Sequence, residues 1–499
     1  MSGRQRLDRA EGPPAGHRVD LVMARDGQAG RQSTAGRVAL LATVVSLLSP
    51  TQAEGLQAGP SVQPTDTVLA NGLRISVLEN ADAPLVSVLL GVRAGASTQR
   101  PGEAGIAHLY EHLLFRSYGS EPSSFAQEAG ELNASFNGST DVDVVTYSLV
   151  LPSERTEGAI ELLGRLATRS RIRDRDLRAE LPVVLDELAR AGSNPSELLD
   201  RQVSSALWGT DWHRMDTSGD TTSLLAITVD DLQERFDRYY VPNNSILVVT
   251  GDARPREVFR WAADHLGDWD RGEDPIHAVG GEAPDRVPGI RAVLLPDRVL
   301  EATIQVQIRG PGTRDGVETV QAVEALVEVL DEPRGPLAVA LVDNGPFREL
   351  SVGYRVRREA GAIVFVGTAE PDQALPAVSR LLGALEQLGP VLREPVPVGA
   401  ESAKSGIERA IATSSRRWAL DVALVTERTA LLAGPLATLW GRGGGDYVAV
   451  ESPFAESRGA EELAATADAY VHGQPKVLGL LAPAPVIEAF RISTGGGGR

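Results

Sequence analysis

The chain has 499 residues, 42% hydrophobic and 23% charged, a composition that describes a folded protein too long for one ordinary core. Its 67 acidic side chains against 49 basic ones give a formal net charge of -18, which argues against nucleic acid as a partner. It contains no cysteine, so disulfides are excluded and any transition-metal site must be built from His and carboxylate side chains.

Residues 1–60 read as a leader. The apolar run Val38–Leu48 follows Arg31 and Arg37 and precedes Thr51-Gln52-Ala53, with small residues where a signal peptidase reads. The run is shorter than the roughly 20 residues of a membrane span. The expectation is export to a periplasmic or secreted location, with translation starting at Met1 or Met23. Thr67–Ala70, Asn71-Gly72 and Leu73–Leu78 read as a β-hairpin, because Asn-Gly suits the positive φ angles of a tight turn. Val86–Val92 is a further strand, followed by a loop rich in Gly, Ser and Pro through Gly102.

From Ile106 the apolar positions change to helical spacing: Ile106, Leu109, Tyr110, Leu113 and Leu114. Val142–Leu151 alternates as a strand, Glu154–Arg169, Asp174–Arg190 and Asp230–Tyr239 read as helices, and Ser245–Thr250 is a β-run ended by Gly251. A stretch rich in Gly, Pro and acid follows, and 271–290 is taken as a linker. The order then recurs. Strand Ala302–Arg309, helix Val317–Leu330, strand Ala362–Gly367, helix Gln373–Leu388, a long helical stretch over Glu401–Leu432 and strand Lys476–Leu481 repeat the first half's plan. Gly441–Gly445 lacks the Lys-Ser/Thr of a phosphate loop and reads as a mobile loop. The fold class is therefore α+β: two similar units in tandem, 61–270 and 291–485, with 486–499 as a tail.

His108-Leu109-Tyr110-Glu111-His112 carries the chemistry. A helix turns about 100° per residue, so His108 and His112 share a face one turn apart, and Glu111 lies beside that face. Two imidazoles at that spacing suit one zinc ion, which lowers the pKa of a bound water to about 7 while a neighbouring carboxylate accepts the proton. The order H-x-x-E-H is the inverse of the commoner H-E-x-x-H. A catalytic zinc takes three protein ligands and keeps one position open, so without cysteine the third should be a carboxylate. Glu187 is assigned that role. Glu180, seven residues earlier on the same helix face, is assigned to orienting a ligand, and Asp186 to solvent. Pro182 either kinks this helix or begins it, which would leave Glu180 in the preceding loop. The bare motif equally describes two surface histidines with an ion-pairing Glu.

In this order the motifs resemble those of the pitrilysin/insulinase family (M16), which includes the mitochondrial processing peptidases and their bacterial relatives. Thr67–Leu78 is similar to its opening hairpin, Gly105–Leu113 to its zinc helix, Glu131-Leu132-Asn133-Ala134 to its following element and Glu180–Glu187 to its E-x6-E helix. Trp212-His213 and Tyr239–Asp252 are similar to the close of its first domain, although His213 itself reads as a packing or loop residue. The resemblance implies two homologous M16-type domains around a chamber, with one zinc per chain held by the first half only. It implies an endopeptidase acting on peptides or unfolded segments. The substrate would lie extended along a sheet edge at Asn133 and Ala134. The chain would act alone or as a homodimer, or, as the resemblance to two-subunit members implies, as the metal-bearing subunit of a heterodimer with a second M16-like subunit. Active relatives carry an Arg and a Tyr in the second half that hold the substrate carbonyl. Here Tyr354 with Arg348 or Arg334 stands nearest to that pair without matching it cleanly. A non-catalytic scaffold subunit is the rival from another class.

Overall fold

A computed structural model describes residues 64–117, 124–274, 289–393, 406–426, 431–443 and 458–493. The leader with its run Val38–Leu48, most of the linker and Gly495–Gly498 lie outside the described residues. Among the described residues no helix is long and apolar enough to cross a membrane.

The first half is built on six strands: β1 (Thr65–Val68), β2 (Arg74–Glu79), β3 (Leu85–Val92), β4 (Ser135–Thr140), β5 (Val145–Pro152) and β6 (Ser245–Gly251), in the order β1-β2-β6-β3-β5-β4. The expected hairpin is β1–β2. Gly72 at its turn has φ +95°, and Asn71 ties the turn down by donating to the Leu266 and Trp269 carbonyls at 2.8 and 3.0 Å. Only β2 and β6 run parallel. Strands β3 and β6 are buried along almost their whole length, which is why Leu85–Val92 is nearly continuously apolar: both faces of the sheet are covered. On one face lie α1 (Ile106–Arg116), α2 (Phe125–Glu131), α3 (Thr156–Arg169), α4 (Asp174–Ser193), α6 (Val229–Tyr239) and α7 (Pro255–Leu266). Their core joins Ile75, Val88 and Leu90 to Ile106, Leu109, Leu113, Leu163 and Leu266.

The second half repeats the topology. Strands β7 (Ile290–Pro296), β8 (Ala302–Gly310), β9 (Phe347–Arg355), β10 (Gly361–Ala369) and β11 (Lys476–Ala482) take the order β7-β11-β8-β10-β9, with only β7 and β11 parallel. Dropping β1, the two sheets have the same order and sense. Helices α8 (Val317–Leu330), α9 (Ala374–Glu386), α10 (Gly406–Thr426), α12 (Ala460–Tyr470) and α13 (Ala484–Ser493) belong with this sheet.

The two halves exchange a helix. From the first half, α5 (Pro195–Trp208) places Leu199, Val203, Leu207 and Trp208 on the second sheet against Ala362, Val364, Val477 and Leu481. From the second half, α11 (Ala433–Gly443) places Leu436, Ala437 and Trp440 on the first sheet against Leu89, Ile246 and Val248. Fully burying side chains of this size is worth about 1.5–3 kcal/mol each, against about 1 kcal/mol net for a typical hydrogen bond, so packing dominates the joint. A Cβ on Gly479 would stand 2.5 Å from Val203 Cγ2, so this approach requires glycine.

Three expectations need correction. Gly441–Gly443 is the last turn of α11, where Gly441 packs against Val144, and not a loop. The tail begins later than residue 486, because α13 covers Ala484–Ser493 and buries Ile487 and Phe490. Pro485 sits in the first turn, where its missing N–H costs nothing. Pro182 lies inside a continuous α4 on the exposed side, so the helix does not begin there and Glu180 belongs to it.

Candidate metal centre

Helix α1 starts after Gly105, whose φ of +91° turns the chain into it, and it has no N-cap side chain. Gln99 serves instead: its buried Oε1 accepts the Gly105 and Ala107 amides at 3.0 and 3.3 Å. Its Nε2 donates to the Asp216 carbonyl at 3.2 Å and to the His213 carbonyl. The buried Arg235 guanidinium holds the preceding loop through the Gly95 carbonyl and Thr98 Oγ1. The apolar stripe of α1 enters the core, and His108, Glu111 and His112 are left facing α4 and β4.

His108 Nε2 and His112 Nε2 lie 3.2 Å apart, with Glu187 Oε2 at 3.7 and 3.5 Å from them. Among the described residues this is the group of three or more His, Cys, Asp or Glu side chains able to hold a metal ion. The fit to zinc is geometric. Ligand bonds of about 2.0–2.1 Å in a tetrahedron place the ligand atoms about 3.3 Å apart, close to the three separations found. The partner of the other ring nitrogen supports it. His112 Nδ1 lies 3.1 Å from Glu180 Oε1, so Nδ1 carries the proton and Nε2 is left with its lone pair. Burial, and then the neighbouring His112, lower the His108 pKa to about 4, which leaves that imidazole neutral at pH 7. Burial works to lower the His112 pKa, but the Glu180 hydrogen bond and the charges of Glu111 and Glu187 outweigh it and raise the value.

Glu111 stands beside this group and contributes no ligand to it. Its Oε2 accepts from Thr140 Oγ1 at 2.9 Å. Burial is the main cause that raises its pKa, with Glu187 adding to it and His112 and the Thr140 hydrogen bond opposing. A carboxylate with raised pKa, held close to metal ligands, is suited to accept a proton near neutral pH. Strand β4 reaches Glu111 at a second point: a Cβ on Gly138 would lie 2.5 Å from Glu111 Oε1. The strand is the sheet edge, paired to β5 alone among the described residues. Asn133, exposed at φ +57°, turns the chain into it, and Ala134 follows with its amide on the Ala129 carbonyl at 2.9 Å.

The second-half residues are placed otherwise than expected. Tyr354 is 2% exposed in the core of that half, and its hydroxyl donates to the Pro311 carbonyl. Arg348 is paired with Glu301 at 3.1 Å and with Glu370. Arg334 lies in an exposed turn. The reason is parity: along β9, Val352 and Tyr354 point inward to the core, so the tyrosine cannot face an open site. Asp186 is exposed, as expected, and pairs with Arg190. Sequence reasoning missed Gln99, Arg116, Gly138 and Thr140; of these only Arg116, four residues after His112 on the same helix, stands at a spacing that could have signalled it.

A profile of the insulinase family (peptidase family M16) matches residues 74–218, and that of the peptidase M16 inactive domain matches residues 226–404; together they cover more than half of the chain. The chain belongs to the insulinase family, M16. His108, Glu111, His112 and Glu187 all fall in the first match, so among the described residues the group able to hold a metal ion lies in the first half.

Over 251 residues the chain is 28% identical to an uncharacterized zinc protease of Mycobacterium leprae, covering 49% of this chain and 56% of that one. Over 318 residues it is 24% identical to the mitochondrial cytochrome b-c1 complex subunit 1 of Mus musculus, covering 61% and 65%. The chain thus spans little more than half the length of the first of these relatives. Solved structures share the fold. A protease from Helicobacter pylori has a TM-score of 0.68 at 17% identity, covering 84% of this chain and 100% of that one. The periplasmic protease PqqL from Escherichia coli has a TM-score of 0.68 at 15% identity, covering 89% and 49%.

Proposed function

We propose that this chain is an exported zinc-dependent endopeptidase that hydrolyses peptides or unfolded protein segments. The observation that carries the reading is the convergence of His108, His112 and Glu187 on one point with Glu111 fixed beside them and uninvolved. Zinc, when bound, supplies a Lewis acid and a water acidified toward pKa ~7. His108, His112 and Glu187 hold the ion, about one per chain. Glu111 accepts the proton of the attacking water and returns it to the leaving amine. Strand β4 offers backbone groups that orient an extended substrate, as in β-augmentation. Zinc protease relatives and a periplasmic structural neighbour support the reading and the location.

A second version is favoured by one observation. With Tyr354 buried and Arg348 ion-paired, the donors expected to steady the substrate carbonyl are already engaged. Such donors supply several kcal/mol of transition-state stabilisation. In this version the chain is the metal-bearing member of a heterodimer, and the second M16-like subunit contributes them. Cleavage of a mixed peptide library, read by mass spectrometry before and after removal of metal by a chelator, tests the proposal. Cleavage that stops on chelation and returns with zinc is expected. Stoichiometric zinc without cleavage selects the partner-dependent version. A purified chain that binds no zinc overturns both in favour of a scaffold.

Gly138→Ala probes the second contact on Glu111. The new methyl forces the carboxylate aside. A misplacement of about 1 Å can cost 10²-fold, so kcat is expected to fall about 10- to 100-fold while zinc content is unchanged. Paired activity and metal analysis measures it, and unaltered kcat would show that Glu111 has room to spare.

A further inference from the structure

We infer that Arg116 is a positioning residue for the metal centre, acting through Glu180 to hold His112 in its ligand orientation; this rests on the zinc reading above. His108, His112 and Arg116 follow one another at four-residue intervals on α1, and Glu180 and Glu187 stand seven apart on α4. The two stripes meet: Glu187 faces the imidazole Nε2 pair, and Glu180 lies between His112 and Arg116. Glu180 divides its two oxygens, Oε1 at 3.1 Å from His112 Nδ1 and Oε2 accepting Arg116 Nε at 2.5 Å. A carboxylate held at both oxygens has a fixed plane, and it passes that plane to the imidazole it accepts from. The inner members are well covered, with side-chain exposures of 6% for His112 and 10% for Glu180. The outer member, Arg116, is 48% exposed.

The matching nitrogen on the other ligand has no such support. Among the described residues His108 Nδ1 is buried without a hydrogen-bond partner. Orientation of the imidazole pair is therefore secured from the His112 side alone, and loss of the relay is not compensated across the pair.

The sign of the effect separates positioning from charge. Removing the Arg116 cation leaves Glu111, Glu180 and Glu187 less compensated, and Coulomb attraction alone would then hold a dication more tightly. Positioning predicts the reverse. Loss of a partner that orients a ligand costs about 10- to 100-fold in metal affinity.

The test is zinc affinity of the full chain, by competition with a chelating dye, for wild type, Arg116→Gln, Arg116→Lys, Glu180→Gln and the Arg116→Gln/Glu180→Gln double variant. Arg116→Gln is expected to bind zinc about 10-fold more weakly. Arg116→Lys, which keeps one charged donor for Oε2, is expected to recover most of that loss. The double variant should bind no more weakly than Glu180→Gln alone, because the arginine acts through that carboxylate. A general structural role at the end of α1 would instead add to the Glu180→Gln effect. Unchanged or tighter zinc binding in Arg116→Gln, or additivity in the double variant, overturns the inference. A wild-type chain that takes up no zinc overturns the metal reading and this inference together; a zinc-binding wild type with an indifferent Arg116→Gln overturns the inference alone.

Discussion

Glu111→Gln is expected to lower kcat/KM by about 10³-fold or more while the protein retains its zinc. A positioned general base contributes about 10²–10⁴-fold, and the amide that replaces it cannot accept a proton at neutral pH. The substitution is otherwise gentle. Gln has the same shape, and its carbonyl oxygen can still accept the Thr140 hydroxyl that now reaches Glu111 Oε2. Glu111 contributes no atom to the His108–His112–Glu187 group, so metal binding has no reason to fail. Burial already raises the carboxylate's pKa, which makes a neutral group at this position easier to accommodate. Activity on the most rapidly cleaved peptide, with zinc measured on the same sample, gives the answer. A variant retaining a tenth of wild-type activity would mean that another group takes the proton.

Helix α1 was legible because all its information is local. Ile106, Leu109, Tyr110, Leu113 and Leu114 trace the buried stripe, and two His at a four-residue interval share the opposite face. Glu187 was legible through its spacing from Glu180 on a helix that Pro182 does not interrupt. The contacts that hold Glu111 were not, because they arise from sheet order. Thr140 and Gly138 reach Glu111 only because β4 is the outermost strand, at the far end from β1.

The same limit explains Tyr354. Its neighbourhood in sequence suggested a donor, but whether a strand residue points in or out is decided by register. That register is set by pairing with β10, with an irregularity at Thr368/Ala369. The helix exchange was equally hidden. Apolar positions on α5 and α11 announce a buried face without saying which sheet covers it. Both halves were readable as α+β units, and their mutual covering was not.

Glu187→Ala should separate metal binding from folding. Four-ligand zinc sites bind with about 10–16 kcal/mol, roughly 3 kcal/mol per ligand, so loss of one ligand is expected to weaken zinc binding by about 10²-fold. The fold should tolerate the change, because Glu187 is only partly buried and the α4 residues that enter the core are Leu177 and Val184. The readout need not involve turnover. Zinc at 100 times its Kd stabilises the folded state by about 2.7 kcal/mol, so added zinc should raise the wild-type thermal midpoint. In Glu187→Ala the same zinc concentration should sit near Kd and raise it far less, while the metal-free midpoints coincide. Asp186→Ala is the control, since its carboxylate faces solvent and pairs with Arg190 one turn away. If Glu187→Ala kept the full zinc-dependent shift, the third ligand would have to be another group. The pairing of α1 with α4 would then no longer account for the site.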